Sequence, residues 1–545
     1  MPVDTERRLN LEPRGPAASV VDDALAFGRY ARRLRSFVRE PPLTAAEARR
    51  RIRAGLAARE ERFLTVLDLA VFRNPRSPYR LLLEAAGAEL GDIAALVREH
   101  ALEGALARLR DAGVYVTLDE FKGRKPLERR GVFVSGDHHA YDNPLLTSPF
   151  EGASGGSKGF RRRLTFDLDL LDYEAACHLL FLEAFGLRSR PYAIWRAHPP
   201  NPSGMTNALR HVRCGLPVAA WFTPYKAPPG PEALKFALFT RVTVHVGRVY
   251  GARLQLPRHC SPDDAVRVAR WLGDRRAEGR PAFLDTQAGI GMRTCLAAKS
   301  DGLDVSGTFL RFGGEPFTAE KAAVVEAVGC RAVCHYAMGE TGRIAAACGD
   351  GVSFDDMHFL ADKLAVLQRE KVLDATGATV GAFHYTTLLP SSPKVMINVE
   401  SDDYGELEER PCGCPFGEVG LVHHMRGIRS YEKLTSEGNH FLGSDLVALI
   451  DRVLPSRFGG EPGDYQLVEE EVGGLPKVSV VARPRLGELK EREVVDAVLE
   501  HLRTERRNRL MADFWRDGQT VRLVRREPYV TAAGKILPLH SVTAR

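Results

Sequence analysis

The segment "GTFLRFGGEPFTAEKAAVVEAVGCRAVCHYAMGE", residues 307–340, alternates short β-branched or aromatic runs with one helical stretch. Its first run ends in Gly-Gly-Glu-Pro at 313–316, and a helix is predicted to begin at Thr318. A second run, "CRAV", leads directly into Tyr-Ala-Met-Gly-Glu at 336–340. The two loops are expected at neighbouring strand ends, where α/β sheets usually bind ligands. The segment therefore predicts an α/β protein with a ligand site at these loops.

These two loops carry residue types that suit a nucleotide. Glycines let the backbone approach a flat base, and Tyr336 could stack on that base. Glu340 is a candidate ligand for Mg²⁺, a hard cation that prefers carboxylate and phosphate oxygens. Each feature is also common in ordinary turns and cores, so the interpretation depends on the rest of the chain.

Strand-like runs separated by helices continue on both sides of this segment. They include "VAAWFTP", "RVTVHVG", "PAFLDT", "VGAFHYTTLL" and "VMINVES". Such alternation predicts α/β layers with a parallel or mixed sheet. The expected division is a helical lead-in at 1–120, an α/β core at 121–429 and a smaller α+β unit at 430–545.

The composition is that of a globular protein with a sizeable core. Of its 545 residues, 44% are hydrophobic and 27% are charged. The net charge of +6 lies largely in Arg-rich helical stretches, without a focused basic patch, so nucleic-acid binding is not expected. Neither a signal-peptide pattern nor an apolar run of about 18 residues is present, so we expect a cytoplasmic protein with no membrane partner.

Five of the nine cysteines crowd the middle of the chain. Three of these, with one histidine, would satisfy a tetrahedral structural zinc: Cys348, Cys412, Cys414 and His358. The Cys-x-Cys spacing is tighter than that of most zinc sites. Cys330, Cys334 and His335 are rival ligands, but the strand "CRAVC" places both its cysteines on one face, as a core requires, and we interpret them as core. Cys177, Cys214, Cys260 and Cys295 are interpreted as ordinary buried thiols.

The order of these motifs resembles the adenylate-forming superfamily of acyl-CoA ligases and adenylation domains. "YAMGE" is similar to that family's Tyr-Gly-x-Thr-Glu core, with Ala337 and Gly339 in place of the usual glycine and threonine. Upstream, "SPFEGASGGSKGF" at 148–160 resembles the family's phosphate loop; a flexible Gly/Ser linker is the alternative. This match implies ATP-binding roles for Ser154, Gly155, Gly156, Ser157 and Lys158.

Further matches resemble the phenylacetate-CoA ligase branch of that family. "INVESDDYGELEERPCGCPFG" at 397–417 implies that Asp403 binds the ribose hydroxyls, although the branch's preceding arginine is missing. "RGIRSYEKLTSEGNHF" at 426–441 resembles the interdomain hinge, with Arg429 as the family's arginine and rotation near Ser430–Tyr431. "EPYVTAAGKILPLH" implies that Lys535 is the adenylation lysine. "ACGDGVSFDDMHFLAD" at 347–362 is similar to the branch's Cys…His stretch and supports zinc.

The resemblance implies a large N-terminal adenylate-forming domain of mixed sheets and helices, plus a small mobile C-terminal α+β domain. It implies ATP-dependent activation of a carboxylic acid as acyl-adenylate, then transfer to the thiol of CoA or of a carrier protein's phosphopantetheine. Lys535 and Glu340 would be the catalytic residues, and Glu340 would also be the ligand of Mg²⁺. The implied ATP contacts are Gly313, Gly314, Glu315, Pro316, Tyr336, Ala337, Met338, Gly339, Asp403 and Arg429.

Several alternatives stay open at this level. The acceptor could be an amine, the acid could be a small oxyacid such as nitrite, and the chain could be a non-catalytic nucleotide-binding homologue. A homodimer is a further open alternative. The acid pocket is expected from about 195–310, with His198, Arg213 and Arg293 as candidate contacts. Basic residues there favour a polar or acidic substrate, against the alternative of surface charge at helix ends.

Overall fold

The computed structural model describes residues 7–9, 20–147, 150–153, 163–224, 231–372, 379–430, 434–436, 439–441, 449–461, 464–472, 475–504, 509–529 and 539–541. The predicted phosphate-loop residues at 154–158, Tyr431 of the predicted hinge and the predicted catalytic Lys535 lie outside these residues.

The α-helices of the described chain are α1 (Val20–Arg39), α2 (Ala45–Ala57), α3 (Arg59–Val66), α4 (Pro78–Ala85), α5 (Leu90–Asp111), α6 (Leu118–Phe121), α7 (Leu168–Ala184), α8 (Ser203–Arg213), α9 (Pro231–Val249), α10 (Ala265–Ala277), α11 (Ala288–Ser300), α12 (Ala319–Glu326), α13 (Leu454–Phe458), α14 (Glu491–Thr504) and α15 (Arg509–Asp517). Two π-helical segments occur at Leu67–Phe72 and Leu449–Val453. Short 3-10 turns occur at His138–Tyr141, Pro262–Asp264, Gly417–Val419 and Pro484–Leu486.

The strands of the described chain are β1 (Arg7–Leu9), β2 (Leu127–Arg129), β3 (Val132–Val134), β4 (Phe150–Ala153), β5 (Arg163–Phe166), β6 (Tyr192–Trp195), β7 (Val218–Thr223), β8 (Arg258–His259), β9 (Phe283–Thr286), β10 (Phe309–Phe312), β11 (Arg331–Met338), β12 (Gly342–Ala347), β13 (Met357–Phe359), β14 (Leu364–Val372), β15 (Thr379–Thr387), β16 (Val399–Glu409), β17 (His423–Ser430), β18 (Leu434–Ser436), β19 (Asn439–Phe441), β20 (Tyr465–Val472), β21 (Leu475–Ala482), β22 (Val521–Arg525) and β23 (Leu539–Ser541).

A twelve-stranded mixed sheet organises the larger part of the molecule, in the order β14-β15-β16-β17-β13-β12-β11-β10-β9-β6-β7-β8. From β11 to β8 every neighbouring pair is parallel. From β11 to β14 every neighbouring pair is antiparallel. The predicted α/β class with a mixed sheet is confirmed, and β11 is the strand at which the sheet changes direction.

The centre of the sheet is buried on both faces. Every residue of β6, β9 and β10 is buried, as expected for parallel strands covered by helices on either side. Helix α7 packs against α2, α8 and β12, and most of its residues are buried. Helices α1–α6 lie within residues 20–121, and their buried residues belong to the same hydrophobic core as the sheet; the division into a lead-in and a core stays a prediction.

The strand predicted for "RVTVHVG" at 241–247 is wrong, because these residues lie within α9. The β-branched residues favour a strand by local propensity. The buried positions of α9, in contrast, follow helical spacing. The buried side chains of α9 are Phe239, Thr240, Thr243 and Val244.

The strand predicted for "VMINVES" at 395–401 begins later, at Val399. Asn398 has φ 49°, a left-handed conformation that interrupts a strand. Its side-chain amide donates to the carbonyls of Leu106 and Val114, at 2.8 and 3.1 Å. The bend at Asn398 thus ties this strand to the end of α5.

The C-terminal residues form a second, smaller unit with its own core. Its sheet has the order β22-β21-β20-β23, and α14 and α15 pack together and onto it. Tyr465, Val480, Val498 and Trp515 are among its buried side chains. The predicted smaller α+β unit is confirmed. Among the described helices, none combines the length and hydropathy that crossing a lipid bilayer requires.

Candidate active site and metal centre

A cavity of about 420 Å³ opens beside the end of β11, where the sheet changes direction. Its lining includes most of the predicted nucleotide contacts: Gly314, Glu315, Pro316, Tyr336, Ala337, Met338, Gly339, Glu340, Asp403 and Arg429. The sheet thus brings together residues from four separate strands or the turns that follow them: β10, β11, β16 and β17. Gly313 is not part of the lining; it packs against His335, whose ring would lie 2.6 Å from any Cβ at this position.

The loop between β10 and α12 is fixed by local interactions. Thr318 caps α12, its hydroxyl accepting a hydrogen bond from the backbone N–H of Lys321. Glu315 is buried, and its Oε2 accepts from the backbone N–H of Gly289 at the start of α11, at 2.7 Å. The predicted helix start at Thr318 is confirmed, and the Gly-Gly-Glu-Pro turn lies at the cavity.

Tyr336 and Asp403 form one hydrogen-bonded pair. The Tyr336 hydroxyl donates to Asp403 Oδ2 at 2.5 Å. This hydrogen bond joins β11 to β16, although the two strands are not neighbours in the sheet. Burial, and then the charge of Asp403, raise the pKa of Tyr336 well above its usual value, so the phenol keeps its proton. The residue predicted to stack on a base and the residue predicted to bind a ribose are therefore adjacent in space.

Glu340 is held by a cation that the sequence did not indicate. Lys122, which follows α6, forms an ion pair with the Glu340 carboxylate, and both side chains are largely buried. Any Mg²⁺ bound by this carboxylate would compete with the Lys122 ammonium. Arg429 lies near the end of β17, where it lines the cavity and donates to the carbonyl of Ile428 at 2.9 Å.

The three predicted acid-pocket residues lie outside the lining of this cavity. Arg213 donates to Asp172, Glu40 and the Pro41 carbonyl on the far side of α8. The other two are His198, which lies 2.9 Å from the Thr223 hydroxyl, and Arg293, which donates to the Gly518 carbonyl of the smaller unit at 2.6 Å. Arg213 and Arg293 thus join distant parts of the chain.

Other polar residues line this part of the cavity instead. They are Arg196 after β6, Asn207 and Arg210 of α8, Gln287 after β9, and Arg343 of β12. Arg210 lies within residues 195–310, where the sequence predicts the acid pocket. No local signal distinguishes Arg343, which stands in "TGRIAAAC" and faces the cavity only because of the turn before β12. Gly342 makes that turn at φ 76°, and a Cβ there would lie 2.2 Å from Glu174 Oε1.

The four predicted zinc ligands converge. Cys348 Sγ lies 3.3 Å from Cys412 Sγ and 3.9 Å from Cys414 Sγ, and His358 Nε2 lies 3.1 Å from Cys414 Sγ. All four ligand atoms lie within 4.8 Å of one another. Ligands around a tetrahedral zinc with Zn–S bonds of about 2.3 Å are separated by about 3.8 Å. The donor set and its spacing therefore fit one zinc ion.

The surroundings of this cluster also suit a metal. His358 Nδ1 donates to the Leu421 carbonyl at 2.7 Å, which leaves Nε2 with its lone pair facing the thiols. A hydrogen bond from Cys348 holds the pKa of the Cys414 thiol well below its usual range, and His358 acts in the same direction. The rival residues Cys330 and Cys334 are buried, and Cys334 packs against the Met357 sulfur at 3.6 Å.

Over most of its length the chain is similar in structure to solved CoA ligases. One is 2-hydroxyisobutyryl-CoA ligase in complex with 2-HIB-AMP and CoA, with a TM-score of 0.53, 16% identity and 89% of each chain covered. Another is a double mutant of o-succinylbenzoate CoA synthetase from Bacillus subtilis, with a TM-score of 0.37, 12% identity, and 73% of this chain and 69% of that chain covered. No protein-family profile and no curated protein sequence matches the chain. The first similarity shows that the chain shares the fold of that CoA ligase, with a large domain and a smaller C-terminal domain; membership of the adenylate-forming superfamily and of its phenylacetate-CoA ligase branch stays a prediction.

Proposed function

We propose that this protein activates a carboxylic acid with ATP and transfers the acyl group to a thiol. The observation that carries the proposal is the convergence on one cavity of the Gly-Glu-Pro turn, the Tyr336–Glu340 loop, Asp403 and Arg429. These residues are far apart in sequence, and the resemblance implies an ATP-binding role for each of them. The fold shared with 2-hydroxyisobutyryl-CoA ligase supports the same activity.

In the first step a carboxylate oxygen of the acid attacks the α-phosphorus of ATP. The bond from that phosphorus to the bridging oxygen of the β-phosphate breaks, so that acyl-AMP and pyrophosphate form. Asp403 would accept hydrogen bonds from the ribose, and the Tyr336 ring would lie beside the base. Lys535 would supply positive charge where negative charge develops between the acid and the α-phosphate. Mg²⁺ at Glu340 would neutralise phosphate charge when it is bound.

In the second step a thiolate attacks the acyl carbon, and the bond between that carbon and the AMP oxygen breaks. The thioester and AMP are released. We propose CoA as the acceptor, because the structurally similar ligase was solved with CoA. Rotation of the smaller domain about Ser430–Tyr431 would move Lys535 away from the acyl-adenylate and allow the thiol to reach it. Such a domain movement would keep the two steps in order.

We further propose that Cys348, His358, Cys412 and Cys414 hold a structural zinc ion. These ligands come from the end of β12, from β13 and from the connection between β16 and β17. The ion would tie together three parts of the antiparallel half of the sheet. All four coordination positions would be filled by protein atoms, as in structural rather than catalytic zinc sites.

Pyrophosphate exchange tests the proposed function directly. We expect the purified protein to incorporate labelled pyrophosphate into ATP in the presence of at least one acid from a panel of aryl, alkyl, hydroxy and dicarboxylic acids. Reactions without acid are the control for contaminating activity. If no acid of the panel supports pyrophosphate exchange although ATP still binds, the non-catalytic alternative or the activation of a small oxyacid would be favoured. If neither pyrophosphate exchange nor ATP binding is detected, the proposed ATP-dependent activation of an acid would be overturned.

The Lys122–Glu340 ion pair leads to a prediction about Mg²⁺. We expect Lys122→Met to lower the Mg²⁺ concentration needed for half-maximal ATP binding about fivefold, because a partly buried ion pair of about 1 kcal/mol no longer opposes the metal. Calorimetric titration of ATP at several Mg²⁺ concentrations measures this shift. Lys125→Met is the matched control, since Lys125 is 71% exposed and pairs with Asp119 instead. An unchanged or raised Mg²⁺ requirement for Lys122→Met would contradict the prediction.

A further inference from the structure

A cluster of buried charges lies beside the cavity, and three of its members, Arg196, Arg210 and Arg343, line it. Asp285 is bound by Arg196 and Arg311, and every one of these side chains is buried. Glu174 is bound in the same way by Arg210 and Lys363, through its two carboxylate oxygens. Each of the two carboxylates therefore already has two cationic partners.

A fifth cation, Arg343, has no such partner. It is 2% exposed and lines the cavity. Its guanidinium makes one hydrogen bond, from Nη2 to the Asn207 side-chain oxygen at 3.3 Å, and its Nε is buried with no partner. Within the described part of the chain, no carboxylate lies within ion-pair distance of this guanidinium. Glu174 accepts from the backbone N–H of Arg343, at 2.7 Å, rather than from its side chain.

The neighbouring groups do not neutralise this charge. Burial, and then the nearby Arg311 and Arg210, lower the pKa of Arg343 to about 10, so the guanidinium stays charged at neutral pH. Burial lowers the pKa of His211 to about 3 and that of His335 well below its usual value, so these rings are neutral. Four cations pair with Asp285 and Glu174, and the Arg343 guanidinium adds a buried positive charge beside them that takes part in neither pairing.

A buried guanidinium without an ion-pair partner is unfavourable in a folded protein unless something compensates for it. An unpaired buried charge forfeits its hydration without gaining a partner, and cations in contact repel each other. Arginine is also the side chain whose planar donors best match a carboxylate. A buried arginine at the edge of a ligand cavity, with donors still to be satisfied, is therefore suited to an anionic group of the ligand.

We propose that the acid activated by this protein carries a second anionic group, a carboxylate in the simplest case, and that Arg343 binds it. This inference rests on the proposed function, since it specifies the acid. One carboxylate of the substrate would react with ATP, while the other lies against Arg343 and Asn207. Arg343 is then a specificity-determining residue that takes no part in the chemical steps.

The test compares dicarboxylic acids of three to six carbons with their monoamides and with monocarboxylic acids of equal length. In pyrophosphate exchange we expect the best dicarboxylate to exceed its monoamide about 100-fold in kcat/KM, because a buried polar site strongly rejects an analogue that leaves its charge unpaired. In Arg343→Gln this ratio should fall to about one, with the loss confined to the dicarboxylate. Because the ratio is taken within one preparation, it does not depend on the fraction of protein that is folded.

Arg62→Gln is the matched control. Arg62 is a half-buried arginine of the same domain that donates to neutral partners, the Tyr173 hydroxyl and the Asp362 carbonyl, and lies outside the cavity lining. It should keep the 100-fold ratio. Exchange with monocarboxylates that equals or exceeds exchange with dicarboxylates would overturn the inference while upholding the proposed function. Absence of exchange with every acid would instead overturn the proposed function.

Thermal unfolding gives a second readout that separates recognition from a structural role. If Arg343 serves the ligand, Arg343→Met should unfold at the same temperature as the unchanged protein or a higher one, because repulsion from Arg311 and Arg210 is removed. If Arg343 instead stabilises Glu174, the same substitution should lower the unfolding temperature markedly. The second result would contradict the inference.

Discussion

Cys414→Ala is expected to abolish stoichiometric zinc binding and to lower the unfolding temperature by about 10 °C. Four-ligand zinc sites contribute several kcal/mol to folding, and each kcal/mol shifts the unfolding temperature of a domain of this size by about 2–4 °C. Cys414 is buried and contacts both Cys348 and His358, so its loss breaks the centre of the ligand set. Elemental analysis and calorimetry of the purified protein measure the two effects.

Cys260→Ala serves as the control for this experiment. Cys260 is fully buried in the hydrophobic core, and its thiol donates to the backbone carbonyls of Ser261 and Asp264. This variant should retain one zinc ion per chain and lose little stability. A well-folded unchanged protein without zinc, or a Cys414→Ala variant that keeps its metal, would show that the cluster is simply a group of buried thiols.

Lys535→Ala is expected to lower pyrophosphate exchange about 100- to 1,000-fold, the usual cost of removing one group that stabilises transition-state charge. The second step should be spared, because in the proposed mechanism Lys535 acts only while the acid attacks ATP. Supplying a synthetic acyl-adenylate with CoA isolates that step, and thioester formation should then proceed at a rate close to that of the unchanged protein. The two half-reactions together give a pattern that general damage to the protein would not produce.

Lys490→Ala is the control in the same C-terminal domain. Lys490 is 77% exposed and pairs only with Glu493 of the following helix. It should leave both half-reactions unchanged. Equal losses in both half-reactions for Lys535→Ala would place the lysine outside the adenylation step, and an unchanged exchange rate would remove it from the site.

The parts of the fold that the sequence predicted are those in which local pattern and tertiary environment agree. β9 and β10 are short apolar runs in the sequence, and the structure buries them on both faces. Thr318 is a predicted helix start in the sequence and the N-cap of α12 in the structure. In α9 the two disagree. The run at 241–247 has strand propensity, but burial of Thr243 and Val244 on one face selects a helix. Propensity contributes tenths of a kcal/mol per residue, and burial of a whole face contributes more.

The candidate site divides in the same way. Tyr336, Glu340 and Asp403 could be found because they stand in motifs with a recognisable order. Arg343 could not, because its significance lies in the absence of a carboxylate partner, and that depends on where Glu174 and Arg210 are placed by other helices. The basic residues between 195 and 310 predict that Arg213 contacts the acid. The role of an arginine is set by its partners, however, and those of Arg213 are Asp172 and Glu40.

The change of direction at β11 bears on how this protein could be altered. Gln287, Arg196 and Arg210 reach the cavity from the parallel half of the sheet, while Asp403 and Arg429 reach it from the antiparallel half. Under the proposed function, the connections after β6 and β9 could therefore be randomised in a library without replacing a predicted nucleotide contact, provided that Gly289, whose N–H binds Glu315, is kept. Variants with a new acid preference could then be selected without a change in affinity for ATP. Arg343 lies on β12, outside these two connections, and would have to be varied separately.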